Sequence, residues 1–190
     1  MKITHNLPII FLSAVLSMPS FASTHLSQHL LTFNKEHPAI KVKIHDVIAE
    51  DAVEMVRSGK VEFAISFDPD SSDDLSFETL FSDEFVAAFP KNHALSKVKV
   101  IDWQQLVKYP FVTLQRPSSI RLLMDNTLKE HGLSLNVMVE SNQLATVVQM
   151  VASGLGVSAI PSLYKQQMHI LNIEYKPLSA PEVGRRVGII

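Results

Sequence analysis

The 190-residue chain has no cysteine, which removes disulfides, thiolate zinc sites and cysteine nucleophiles from consideration without fixing a compartment. An excess of charge of either sign is also missing. Its 17 basic and 19 acidic residues leave a formal charge of -2, no electrostatic footprint for DNA, RNA or an anionic membrane. Glycine is scarce at 6, and there is no internal repeat or low-complexity tract. No serine sits in a Gly-x-Ser-x-Gly elbow, and the acidic pair Asp73-Asp74 lies in a serine-rich loop, so enzyme activity has no support in the sequence. His25 and His29 are four apart, but no His-Glu-x-x-His frame or third ligand accompanies them. No metal or cofactor is expected.

What is present is a chain 46% hydrophobic and 19% charged, enough to bury one sizeable core or two smaller ones of roughly 80 to 100 residues each. Ile9 to Leu16 is an apolar run with two readings. It is either the first buried strand of a parallel sheet or the core of a secretory signal ending near Ser20-Phe21-Ala22. The strand is preferred, because the next segments run helix (Phe21 to Lys35, with Ser20 as N-cap), strand (Ile40 to Val47), helix (Asp51 to Ser58) and strand (Val61 to Phe67). Without a leading strand the first helix would cover an incomplete sheet.

Leu75 to Phe81 and Glu84 to Pro90 read as two strands joined by a turn at Ser82-Asp83. A second α/β block follows: Asp102 caps a short helix, Phe111 to Leu114 is a strand, Ser118 or Ser119 begins the helix Arg121 to His131, and Asn136 to Glu140 is a strand. The apolar spacing of Leu144, Val147, Val148 and Val151 then gives a helix that stops at Gly154-Leu155-Gly156 and feeds a strand closed by Pro161. This unit places Asn136 to Glu140 as a parallel neighbour in the same sheet. Gly154-Leu155-Gly156 ends a helix rather than opening one, the reverse of a dinucleotide fingerprint. The fold class is α/β: two Rossmann-like lobes joined by crossing segments near Phe89 and Ile170. Lobe I takes residues 1–89 and 170–190, and lobe II residues 90–169.

Thr146-Val-Val-Gln-Met-Val-Ala-Ser-Gly-Leu-Gly-Val-Ser-Ala-Ile-Pro161 resembles the second-lobe helix, glycine turn and strand of the effector-binding domain of LysR-type transcriptional regulators. Met18-Pro-Ser-Phe-Ala22, Phe33-Asn-Lys-Glu-His-Pro38 and Phe85 to Pro90 followed by His93-Ala-Leu95 match in the same order, so the resemblance covers roughly residues 9 to 190. It implies a periplasmic-binding-protein-like (type 2) fold that holds a small-molecule effector between lobes. It also implies a cytoplasmic location, and homodimers paired through helices such as Phe21 to Lys35 and Arg121 to His131. The family pattern further implies an N-terminal helix-turn-helix, yet only Met1 to Pro8 precede the first strand. The family would also continue beyond Arg185 to Ile190 into a closing helix. The expectation is a truncated regulator without its own DNA-binding domain. The alternative is an exported periplasmic solute-binding protein with residues 1–22 as its signal.

The candidate ligand residues are Ser20, Ser66, Ser118, Ser119, Asn142 and Gln143. They stand at helix starts or at carboxyl ends of strands, where free amides and the helix dipole favour an anionic effector and open α/β sheets hold their ligands. Each has a structural role available as cap or strand end. Arg116 and Arg121 are near enough in sequence to Ser118 and Ser119 to face the same cleft.

Overall fold

The computed structural model describes residues 10–16, 26–69 and 74–190. The chain forms two compact units, one of residues 1–81 and 186–190 and the other of residues 82–185.

In the first unit, β1 (Ile10–Leu16) pairs in parallel with β2 (Ile40–Asp46) along its whole length, Ile10 opposite Ile40 and Leu16 opposite Asp46. It also pairs in parallel with β3 (Ala64–Phe67). The apolar run near the N-terminus is thus a strand of the sheet. The C-terminal strand β10 (Gly184–Ile189) adds antiparallel to β3, placing Gly188 opposite Ser66. Helix α1 (Ser27–Glu36) connects β1 to β2, and the expected start of that helix at Phe21 and its Ser20 cap lie outside the described residues. Helix α2 (Ala49–Arg57) carries Glu50 and Asp51 in its first turn and Arg57 in its last, charges that suit the helix dipole. Its inner residues Ala52 and Met55 bury against Val61 and Ala64 in an apolar cluster of this unit.

Among the described residues the second unit holds the larger core, which includes Phe89, Trp103, Phe111, Val148, Ile160 and Met168. Burying each of these large side chains stabilises the fold by about 1.5–3 kcal/mol. Strand β4 (Glu78–Phe89) is one continuous strand of 12 residues, where the sequence suggests two strands and a turn. Ser82-Asp83 is turn chemistry locally, but Asp83 is wholly buried and its carboxylate accepts hydrogen bonds from Ser162 Oγ at 3.0 Å and Leu163 N at 3.1 Å. Those tertiary partners keep the backbone extended. Residues 82–89 therefore belong to the second unit, and the chain passes between units within β4 and again within β10.

Antiparallel to β4 run β8 (Ser158–Pro161) and β9 (Glu174–Ser179), with the short β5 (Ile101–Asp102) parallel to β9. Helix α3 (Trp103–Leu106) opens with a reciprocal capping box between Asp102 and Gln105. Strands β6 (Phe111–Leu114) and β7 (Val137–Ser141) are a parallel pair. β7 pairs with β6, whose Phe111 in turn bridges Val157, so the strand before the glycine turn is one place further from β8 than its sequence suggests.

Helices α4 (Ser119–Glu130) and α5 (Leu144–Ala152) follow β6 and β7. The stretch Thr146-Val147-Val148 is β-branched and a poor helix former. Burial of Val147, Val148 and Val151 overrides that propensity. The turn after α5 uses its two glycines differently: Gly154 has φ +83°, whereas a Cβ on Gly156 would stand 2.3 Å from the Pro110 carbonyl oxygen. After β8 come a 3-10 turn (Ser162–Tyr164) and α6 (Lys165–Ile170).

Candidate functional site

In the second unit the parallel pairing of β6 and β7 puts Leu114 opposite Ser141, and the Gln115 amide donates to the Ser141 carbonyl at 2.8 Å. The two strands therefore end side by side, and each leads into a helix. Ser118 and Ser119 stand at the start of α4, and Asn142 and Gln143 at the start of α5. Four of the six sequence-derived candidates thus share one end of the β6–β7 pair. The first-turn amides of a helix have no intrahelical acceptor, and neither α4 nor α5 has an acidic residue in its first turn to oppose an anion.

Capping differs from the sequence expectation. Gln143 occupies the N-cap position of α5 and its amide donates to Ser141 Oγ at 3.2 Å, so Ser141 supplies the local hydroxyl and leaves the exposed Asn142 and Gln143 side chains outside the cap. Ser118 is the N-cap residue of α4, but its hydroxyl makes no cap hydrogen bond. Half-buried Ser118 and Ser119 are poised at a helix start without a capping duty.

Arg116 and Arg121 do not serve as loose guanidiniums. Arg121 is only 7% exposed and turns inward. Its Nε donates to Asp125 at 2.9 Å, and its Nη1 donates to the Leu114 carbonyl at 3.1 Å and to Glu140 Oε1 at 2.5 Å. Arg116 donates to the same Asp125 through Nε at 2.8 Å and Nη2 at 2.6 Å. Burial works against the Arg121 charge, but Glu140 and Asp125 outweigh it and raise the guanidinium pKa above its ordinary value. Two cations are thus matched by two carboxylates. The network ties the end of β6, the end of β7 and the first turns of α4 together. Sequence spacing shows Arg121 and Asp125 as an i, i+4 pair, but the contacts to Leu114 and Glu140 depend on the strand pairing and have no local signal.

In the first unit, Ser66 is the penultimate residue of β3, wholly buried and with a polar partner of its own. Ser20 lies outside the described residues, as does His25. Among the described residues no helix is long and apolar enough to cross a membrane, and no cluster of three metal-ligating side chains occurs.

Open α/β sheets hold ligands outside the carboxyl ends of their strands, the end at which α4 and α5 begin. A family model described as the LysR substrate binding domain matches residues 14–190, and the chain belongs to that family. The match begins inside residues 1–22, and β1 occupies the same segment, so the export reading is not favoured. The HTH-type transcriptional regulator YbhD of Escherichia coli K12 is 31% identical over 158 residues, which cover 83% of this chain and 50% of that protein. The transcriptional dual regulator GltC of Bacillus subtilis is 27% identical over 173 residues, or 90% and 57% of the two chains. The chain spans about half the length of the curated relatives it matches.

Among solved structures, the effector binding domain of QuiR in complex with shikimate superposes with a TM-score of 0.82 at 18% identity, covering 94% of this chain and 85% of that one. The regulatory domain of Synechocystis CcmR in complex with 2-PG gives 0.82 at 19%, over 94% and 86%. The reduced OxyR regulatory domain of Pseudomonas aeruginosa gives 0.76 at 25%, over 95% and 88%. The fold is that of LysR effector-binding domains, the type 2 periplasmic-binding-protein-like class.

Proposed function

We infer that the chain is the effector-sensing domain of a LysR-type transcriptional regulator, which binds a small molecule and reports it by a population shift rather than by a reaction. Family membership supports the sensing role, and the ligands bound to the QuiR and CcmR domains support a small polar effector. The observation that carries the site is the side-by-side start of α4 and α5 at the paired ends of β6 and β7.

Ser118, Ser119, Asn142 and Gln143 form the binding surface of the second unit. Because Arg116 and Arg121 are neutralised by Asp125 and Glu140, an anionic group is held on this side by first-turn amides and hydroxyls. The domain works in the cytoplasm as a homodimer through α1 and α4, and binds no nucleic acid itself. Calorimetry with shikimate, 2-PG and other small hydroxy- and phospho-carboxylates tests this reading. A member of that panel binds the unaltered chain, and Ser119→Ala with Asn142→Ala weakens it about tenfold or more, an energy of one to two hydrogen bonds to a charged group. Binding that ignores both substitutions overturns the proposed site.

A further inference from the structure

A second candidate site lies wholly within the second unit, away from the starts of α4 and α5. It is a hollow of about 460 Å³ that opens to solvent, within the roughly 300–1,000 Å³ range of small-molecule pockets. Its apolar lining includes Phe85, Leu178 and Val183, all buried. Around these stand Glu84, Glu182 and Lys165, exposed residues none of which is ion-paired with another described residue. Charges of both signs therefore line one cavity without pairing with each other. The Lys165 ammonium lies 5.7 Å from the Tyr175 ring centroid, which orients it without neutralising it.

The walls are fixed. Ser162, on the rim, donates its hydroxyl to buried Asp83 at 3.0 Å, the Phe85 amide donates to the Val183 carbonyl at 2.9 Å, and Trp103 Nε1 donates to the Pro181 carbonyl at 3.1 Å. Lining residues Ser82 and Val183 stand beside the two points at which the chain leaves this unit.

We propose that this cavity binds a zwitterionic α-amino acid with an apolar side chain, its ammonium held by Glu84 and Glu182, its carboxylate by Lys165, and its side chain against Phe85 and Leu178. An ammonium and a carboxylate on one carbon match the two carboxylates and the ammonium at once, exchanging their hydration for charge-assisted contacts. A purely anionic ligand would leave two carboxylates opposed to it, and a purely cationic one would leave Lys165 unmatched. The ligand would brace β4 at Ser82 and the segment at Val183 that leads into β10, a role separate from effector binding at α4 and α5.

The test is a ¹⁵N NMR titration of the full chain with L-leucine, L-methionine and L-phenylalanine. Leucinamide, which lacks the carboxylate, and N-acetyl-leucine, which lacks the ammonium, serve as controls. Saturable shifts are expected at the amides of Ser82, Lys165 and Val183 for at least one free amino acid, with both blocked forms weaker by about tenfold. Lys165→Met should then erase the preference for leucine over leucinamide, and Glu84→Gln with Glu182→Gln the preference over N-acetyl-leucine, while the rest of the spectrum stays that of the folded chain. No saturable shift at those amides up to about 10 mM overturns the proposal, since weaker binding is below any useful occupancy. Equal binding of free and blocked forms does so as well. Shifts centred on Ser119 and Asn142 would overturn it too, and would make the amino acid a ligand of the effector site.

Discussion

Asp83 on β4 and Arg185 on β10 meet inside the second unit, with Arg185 Nη2 3.6 Å from Asp83 Oδ2, the Asp83 side chain wholly buried and that of Arg185 9% exposed. They stand within two residues of the points at which the chain passes from one unit to the other. Burial pushes the Arg185 guanidinium down to about 9, against the pull of Asp83, and the Phe85 ring lies 5.8 Å from the guanidinium carbon. The pair costs desolvation and fixes two strands at once.

Removing one partner strands the other charge. Arg185→Met is expected to destabilise the chain by about 3–5 kcal/mol, and Asp83→Asn combined with Arg185→Met to recover most of that loss. Urea titration of the two variants checks this. A single variant as stable as the parent would show that the pair is not coupled.

The two arginines near α4 separate in the same way by burial. Arg121→Met removes a nearly buried cation that holds Leu114, Asp125 and Glu140, and is expected to cost about 3 kcal/mol or more. Arg116→Ala removes a mostly exposed partner of Asp125 and is expected to cost about 1 kcal/mol or less. Thermal unfolding of the two variants side by side gives the ordering.

Which parts of this were legible in the sequence follows from where the partners lie. The β1 strand, the α5 helix with its glycine stop, and the serines and amides at the starts of α4 and α5 rest on local spacing and capping chemistry. The continuity of β4 through Ser82-Asp83 does not. It depends on Ser162 and Leu163, 79 and 80 residues away in sequence, and on Arg185. The inward turn of Arg121 was hidden for the same reason, because Glu140 approaches it only after β6 and β7 pair.

Gly156 after α5 and Gly132 after α4 give a contrast between steric and conformational cost. Gly156→Ala forces a methyl against the Pro110 carbonyl and is expected to destabilise the chain by about 1–3 kcal/mol through displaced backbone. Gly132→Ala meets open space at φ +66° and is expected to cost about 1 kcal/mol through the left-handed backbone alone. Denaturant midpoints for both variants test the ranking.

His93 predicts a pH dependence of stability. Burial holds its imidazole below the usual histidine range, and its Nδ1 accepts from the Leu95 amide at 3.3 Å, while its ring packs edge-on against Tyr109. The unfolded chain takes up this proton near pH 6.5, before the folded chain does. Stability contributed by neutral His93 is therefore complete above about 6.5 and declines as pH falls from there through the lower folded value. His93→Gln should flatten that part of the stability profile between about pH 7 and 5. An unchanged profile would place the titration elsewhere.

The central claim is that Ser118, Ser119, Asn142 and Gln143, brought together by the pairing of β6 with β7, form one wall of an effector site. The most direct measurement is a crystal structure of the chain with whichever hydroxy- or phospho-carboxylate of the calorimetric panel binds it. The account predicts that ligand oxygens lie within hydrogen-bond distance of the first-turn amides or hydroxyls of α4 and of Asn142 or Gln143. A ligand bound elsewhere, with those four residues meeting only solvent, would contradict it.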